Sequence, residues 1–263
     1  MSTAEKRSFD PIPAAERFAK AWREDLLLPD LPPHEKPTTI EEGYQIQRHL
    51  ARELGERIAG YKLGLSSPNA MRASGLGRPI LGFIPRSRLY NSGAVVSVSE
   101  RDRFLIEVEI AFELAHDVLP AQRVVNITEA IRGSYLSIEI VRSHFVDRRT
   151  VDLPTYVGDG AGFHGFVLGS PLALEEVQRL SQAQACLRRN AAAVAHKASH
   201  DDCPDPFSVL QSFLEMASDQ GTILREGAII ATGNVITPFE TQEPGMYQGT
   251  LLGAAVGFEL RRA

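Results

Sequence analysis

The stretch Phe104-Leu105-Ile106-Glu107-Val108-Glu109-Ile110-Ala111-Phe112-Glu113-Leu114 alternates with a period of two. Ile106, Val108, Ile110, Phe112 and Leu114 point one way, and Leu105, Glu107, Glu109, Ala111 and Glu113 the other. This is the pattern of a β-strand with one face on an apolar core. Side chains at i and i+2 share a face about 6–7 Å apart, so Glu107 and Glu109 are neighbours. Carboxylates that close repel unless a proton or a cation lies between them. A strand with one wet face shows the same alternation, but two features favour a built site. Ala111 is small and uncharged on the acidic face, and a second strand, Tyr135 to Val141, carries Glu139 alone among apolar and small residues. A lone glutamate in such a strand is expected to be paired or to coordinate. Hard divalent ions want oxygen ligands, and Mg²⁺ takes one or two carboxylates with water and substrate.

Outward from this strand, the first third of the chain reads as helical. Ala14 to Asp25 is amphipathic, and Leu28 to Pro37 is a proline-rich loop. Thr39-Ile40-Glu41-Glu42 forms a capping box, and Gly55 marks the C-terminal stop of the helix that follows. Beyond Gly60 the apolar runs shorten and glycine and proline become frequent, as in β structure. Strands are predicted at Tyr61–Leu65, Val95–Val98, Phe104–Leu114, Tyr135–Val141, Phe166–Leu168, Ala183–Arg188, Ala228–Ala231 and Gly253–Leu260. Helices are predicted at Ile127–Gly133, at Ala173–Leu180, and from an Asp205 N-cap and Pro206 to Gly221. Strands do not alternate regularly with helices, which argues against a doubly wound parallel sheet. The expected class is α+β, one domain over residues 1–263, with a helical part at 1–58 and a β-rich body at 59–263.

Length (263 residues) and 43% hydrophobic content suffice for a large core. A net charge of −5 with scattered Lys and Arg carries no footprint for nucleic acid. Two cysteines, Cys186 and Cys203, point to a reducing compartment rather than a disulfide scaffold. The polar opening, Met1 to Asp10, has no apolar signal core, and no apolar run approaches the roughly 20 residues that span a bilayer. A soluble, unprocessed cytoplasmic protein is expected.

Taken together, Gly60-Tyr61-Lys62-Leu63-Gly64-Leu65-Ser66-Ser67, Glu107-Val108-Glu109-Ile110-Ala111-Phe112, Ser137-Ile138-Glu139-Ile140-Val141, Val167-Leu168-Gly169 and Ala231-Thr232-Gly233 resemble the fumarylacetoacetate hydrolase superfamily. Within it they are most similar to the 2-keto-4-pentenoate hydratase and 4-oxalocrotonate decarboxylase branch. The segments run in family order from about Thr38 onward. The resemblance implies a mixed β-sandwich roll with a helical N-terminal region. It implies Mg²⁺ or Mn²⁺ held by Glu107, Glu109 and Glu139, with Lys62 beside the substrate and Leu63, Ser66, Gly162 and Thr232 lining it. It also implies a homo-oligomer. Three positions depart from the family pattern. Ile80 stands where related hydratases carry an acid that works with the lysine, and Arg142 stands where an aspartate is usual. Asp159-Gly160-Ala161-Gly162-Phe163-His164 replaces an Asp-Asn-Ala-Ser-Ser-Gly stretch.

The remaining motifs are weighed on their context. A buried Lys62 needs a counter-charge or a lowered pKa, which suits proton transfer; a surface lysine on an edge strand is the plainer alternative. Gly160 to Gly165 spells G-x-G-x-x-G, but a strand follows it rather than a helix, so it is no dinucleotide fingerprint. It reads either as a flexible turn or as a loop at the site, with Asp159 orienting a water or ligand and His164 as substitute acid or base. His196, His200 and Cys203 have zinc-type donors, but Asp201-Asp202-Cys203-Pro204 reads as a solvated loop.

The expected activity is a metal-dependent lyase acting on a small 2-hydroxy-dienoate or 2-oxo acid, most simply a hydratase adding water. A decarboxylase or C–C bond hydrolase would use the same carboxylates to stabilise an enolate. A non-catalytic metal-binding partner subunit, or a binding protein for oxo acids, is the alternative from another class. No nucleic-acid or membrane partner is expected.

Overall fold

The computed structural model describes residues 9–99, 102–120 and 126–262. The polar opening lies mostly outside them. Its helices are α1 (Ile12–Glu24), α2 (Ile40–Leu54), α3 (Pro68–Ser74), α4 (Leu153–Gly158), α5 (Leu174–Val177) and α6 (Pro206–Asp219). None is long and apolar enough to cross a membrane. The chain divides into two compact units: Met1–Glu56 with Ser143–Gly162, and Arg57–Arg142 with Phe163–Ala263. The first unit thus also takes residues 143–162, which the sequence reading assigned to the β-rich body.

In the first unit α2 packs against α1 and α4. Thr39 caps α2 by accepting from the Glu42 N–H at 3.2 Å, and Gly55 ends it in the left-handed conformation. Glu42 closes the box one residue further back than expected, accepting from the Thr38 hydroxyl at 2.8 Å. A Cβ on Gly43 would lie 2.4 Å from the Pro154 carbonyl oxygen, so α2 and α4 meet this closely only because Gly43 has no side chain. Phe18, Ile46, Leu50 and Val157 are fully buried, and Phe18 meets Phe145 edge to face with centroids 5.8 Å apart.

The second unit carries the strands β1 (Ile58–Gly64), β2 (Ile80–Pro85), β3 (Leu89–Asn91), β4 (Val95–Val98), β5 (Phe104–Leu114), β6 (Ile131–Val141) and β7 (Phe163–Leu172). It continues with β8 (Ala185–Arg189), β9 (Ala192–His196), β10 (Ile229–Asn234), β11 (Phe239–Thr241), β12 (Gly245–Leu251) and β13 (Ala254–Arg262). The large sheet runs β2-β1-β10-β5-β6-β7-β3, with β11 also paired to β5, and the smaller one β4-β13-β12-β8-β9. Both mix parallel and antiparallel pairs. The apolar face of the large sheet is covered twice. Helix α6 sets Phe213 and Phe207 against Tyr61 and Phe112, each pair 5.2 Å apart. Beside it the small sheet packs on β5 to β7 at glycines: a Cβ on Gly169 would sit 2.4 Å from Val256 Cβ, and one on Gly249 2.9 Å from Val108 Cγ2. The glutamates of β5 are left on the other face.

All eight predicted strands exist, most of them longer at one or both ends. Two helices are corrected. Ile127–Gly133 forms only a 3₁₀ turn, Ile127–Ala130, because Ile131 already enters β6. Ala173–Leu180 breaks into α5 and a separate turn at Leu180–Gln182. Helices α3 and α4 and strands β2, β3, β9, β11 and β12 were not foreseen. Ser67 caps α3 and Pro68 opens it, but α3 buries no residue and so shows no apolar stripe. Strand β12 holds its place by ladders to β13 and β8 rather than by an apolar pattern.

Gly169→Ala is expected to lower unfolding free energy by about 1–3 kcal/mol, because backbone must move to admit the methyl group. Gly77→Ala, where a Cβ meets nothing within 4 Å, serves as the control in denaturant titrations. Equal midpoints for the two variants would show that the sheets are not packed this closely.

Candidate metal centre

Register places the cluster. Glu107 on β5 sits opposite Glu139 on β6, and Glu109 sits opposite Ser137. Lys62 on β1 sits opposite Ala231 on β10, which sits opposite Ala111 on β5. Partners across a ladder share a face, so Lys62, Glu107, Glu109 and Glu139 all project from the same side of the large sheet. Ala231 and Ala111, both small, stand on this face between Lys62 and β6. One carboxylate oxygen from each of Glu107, Glu109 and Glu139 lies within 4.8 Å of the other two. No other group of metal-ligating side chains meets this geometry among the described residues.

The electrostatics are severe. Glu109 is 0% exposed, Glu139 1% and Lys62 3%. Lys62 Nζ pairs with Glu139 Oε1 at 3.1 Å, which supplies the counter-charge that a buried lysine needs. Burial first and Glu139 second push the Glu107 carboxyl up to about 7, with Lys62 opposing. Burial, Glu139 and Glu107 hold Glu109 well above the ordinary carboxylate range, against the pull of the Gly233 N–H and Lys62. Glu109 Oε2 accepts from Gly233 N at 2.9 Å, whereas its buried Oε1 accepts no hydrogen bond. A buried carboxylate oxygen with no donor, beside two more carboxylates, is what a divalent cation would satisfy. The donor set is all oxygen and suits Mg²⁺ or Mn²⁺.

The other expected site residues fare differently. Leu63 is buried and, by alternation with Lys62, points to the opposite face. The hydroxyls of Ser66 and Thr232 both donate to main-chain carbonyls, Ser66 to Thr232 O at 3.0 Å and Thr232 to Ile110 O at 2.8 Å. His164 is the residue passed over where the β6–β7 register shifts. Its ring lies 5.3 Å from Phe104, on the apolar side of β5, and its Nδ1 faces Arg88 Nη1 at 3.4 Å. The shift therefore turns His164 away from the glutamate face, against the acid–base role expected of it. Asp159 is committed inside the first unit. Its Oδ1 accepts from Trp22 Nε1 at 3.1 Å and lies 2.9 Å from His144 Nδ1, while Oδ2 accepts from His144 N at 2.9 Å. That carboxylate braces the helical unit through Trp22 and His144. Gly162, in the left-handed region, belongs to the same unit, and a Cβ there would lie 2.3 Å from the Tyr156 hydroxyl. His200 of the disfavoured zinc set sits exposed in a 3₁₀ turn.

Sequence reasoning missed Gly233 and Asn234. The signal was a glycine inside an apolar strand pattern, which marks a bulge or a close backbone approach.

No family model matches the chain. It is 26% identical over 211 residues to a 2-keto-4-pentenoate hydratase of Burkholderia vietnamiensis (strain G4 / LMG 22486), covering 80% of each chain. It is 25% identical over 201 residues to a 4-oxalocrotonate decarboxylase of Pseudomonas putida, covering 75% of this chain and 76% of that one. The solved 4-oxalocrotonate decarboxylase of Pseudomonas putida G7, complexed with magnesium and adipate, superposes with a TM-score of 0.85 at 22% identity, over 98% of this chain and 100% of that one. A fumarylacetoacetate hydrolase family protein of Yersinia pestis CO92 shares the fold at a TM-score of 0.53 and 16% identity, over 76% of this chain and 91% of that one. The chain is similar in sequence to these hydratases and decarboxylases, and it shares its fold with a fumarylacetoacetate hydrolase family protein. The positions that depart from the superfamily pattern find local solutions. Ile80 is 2% exposed and packs on Gly64, so the surroundings of Lys62 are apolar there. Arg142 is buried against Asp102 at 2.9 Å, so the acid that balances it comes from just before β5.

The raised carboxyls predict the sign of a pH effect. Between the ordinary value of 4.5 and about 7, the folded protein holds a proton on Glu107 that the unfolded chain has released. Stability must therefore fall as pH rises through that window. In chelator-treated protein, Glu107→Gln should gain stability on wild type as pH is raised from about 5 to about 8, read from paired urea titrations. A difference that stays constant or reverses with pH would show that Glu107 is not strained in this way.

Proposed function

We propose that the chain is a divalent-metal-dependent lyase acting on a small 2-hydroxy-dienoate or 2-oxo acid, most simply a hydratase. The observation that carries this reading is the Glu107–Glu109–Glu139 cluster, with Glu109 and Glu139 buried and an unsatisfied Glu109 oxygen, beside Lys62. Glu107, Glu109 and Glu139 would hold Mg²⁺ or Mn²⁺. Bound there, the ion supplies Lewis-acid stabilisation for negative charge developing on the 2-oxygen of the acid.

The chain's own residues do the rest. Glu139 holds the Lys62 ammonium on the carboxylate face, beside the position proposed for the acid. Ketonisation of 2-hydroxypenta-2,4-dienoate takes a proton off the 2-hydroxyl and places one on C5. Water then adds across C3 and C4, giving 4-hydroxy-2-oxopentanoate. Lys62 is the group we assign to proton delivery. Ile80 and Gly64 keep bulk water from its flank. The relative that is a 4-oxalocrotonate decarboxylase supports a second reading, in which the same enolate forms by loss of CO₂ from a 2-oxo-dioate. A homo-oligomer in the cytoplasm completes the proposal.

The test is turnover. Chelator-stripped protein given Mg²⁺ or Mn²⁺ should remove the ultraviolet absorbance of 2-hydroxypenta-2,4-dienoate and yield the 4-hydroxy product. Lys62→Met should lower kcat/KM by roughly 10²–10⁴-fold, and Glu109→Ala should abolish the metal response. Dienol decay no faster than in buffer, with the metal bound, would reject the hydratase reading and leave the decarboxylase substrate to be tried.

A further inference from the structure

The pairing of β10 with β5 contains an irregularity whose parts all converge on Glu109. Ala231 sits opposite Ala111 and Asn234 opposite Glu109, so three steps along β10 match two along β5. One residue is extra, as in a β-bulge. The extra residue removes the regular donor and acceptor positions, and side chains take their place. Asn234 Oδ1 accepts from Val108 N at 3.1 Å and from Ile236 N at 3.2 Å. The Thr232 hydroxyl donates to Ile110 O at 2.8 Å, one residue from Glu109. From the other side, the Ser66 hydroxyl donates to Thr232 O at 3.0 Å. Both hydroxyl residues are buried, Thr232 at 0% and Ser66 at 6% exposure. Between these ties lies Gly233, with φ at +99° and no room for a Cβ, which would meet Ser66 Oγ at 2.0 Å. Its N–H is thereby aimed at Glu109 Oε2.

We infer that Ser66, Thr232 and Asn234 form a latch that positions Glu109 through the Gly233 N–H, holding one carboxylate oxygen so that the other faces Glu107 and Glu139. This inference rests on the metal-site reading above. It gives Ser66 and Thr232 a positioning role in place of contact with substrate. Groups that orient a metal ligand from behind act on affinity as well as on rate, typically by 10–100-fold. A tied carboxylate gives up less side-chain freedom when the ion binds.

Mn²⁺ binding to the full-length protein, followed by electron paramagnetic resonance of the free ion, tests this without turnover. Thr232→Val, which keeps the shape and loses the hydroxyl, and Ser66→Ala should each weaken Mn²⁺ binding by about 10–100-fold. Thr232→Ser, which keeps the hydroxyl, should restore affinity to within a few-fold of wild type. In a Glu109→Gln background neither Thr232→Val nor Ser66→Ala should weaken binding further. Equal weakening in both backgrounds would mean that the loop merely supports the fold, and unchanged affinity in a natively melting Thr232→Val would overturn the latch outright. Ser66→Ala decides the matter from the opposite side of the loop should Thr232→Val not fold. Wild-type protein that binds no Mn²⁺ through Glu107, Glu109 and Glu139 would remove the metal site itself, and the latch with it. Intact wild-type binding with insensitive latch variants would remove the latch alone.

Discussion

Three carboxylates and one ammonium group meet on one face of one sheet, with Glu109, Glu139 and Lys62 buried and Glu107 half-buried. If all four were ionised, three negative charges against one positive would leave two in excess at the cluster. Burying unbalanced charge costs several kcal/mol per ion even after relaxation. The protein meets part of that cost with the Lys62–Glu139 pair and the Gly233 N–H, and part by keeping carboxyls protonated to higher pH. Two excess negative charges are also what one divalent cation neutralises. The rest of the second unit can be understood as the frame that makes this placement tolerable. The opposite face of the sheet is mostly apolar and is covered by α6 and the small sheet, so hydrophobic burial offsets the electrostatic strain.

The frame depends on small residues at particular points. Ala231 and Ala111 keep side chains small on the two strands between Lys62 and β6. Gly169 and Gly249 let the two sheets approach so closely that a methyl group at either would collide. Gly233 combines a φ of +99° with no room for a Cβ, and its N–H is spent on a glutamate. The first unit is braced separately, with Asp159 tying Trp22 and His144 together in its interior.

Much of this was legible in the sequence, for a physical reason. A period of two in Phe104–Leu114 survives because one face must be apolar, and the acidic residues on the other face then stand out. Glu139 stood out by the same logic, and the need of a buried Lys62 for a counter-charge was met by that very glutamate. What did not transfer is what alternation cannot carry. His164 shares its strand with residues facing the glutamates, but a one-residue register shift turns it to Phe104. Asp159 looked free to serve the site because its partners, Trp22 and His144, are distant or unremarkable in sequence. Ser66 and Thr232 were read as ligand contacts because a hydroxyl's acceptor is a property of the fold. Gly233 was visible only as a break in a pattern, and its role appears only once the bulge brings it to Glu109.

The central claim is that one divalent cation occupies the space among Glu107, Glu109 and Glu139. Crystals of the protein grown with Mn²⁺ and measured at a wavelength where manganese scatters anomalously test it directly. The account predicts a single strong anomalous peak within about 2.0–2.3 Å of one oxygen from each glutamate, with Glu109 Oε1 among them. No peak at the cluster, or a peak coordinated by other side chains, would contradict it.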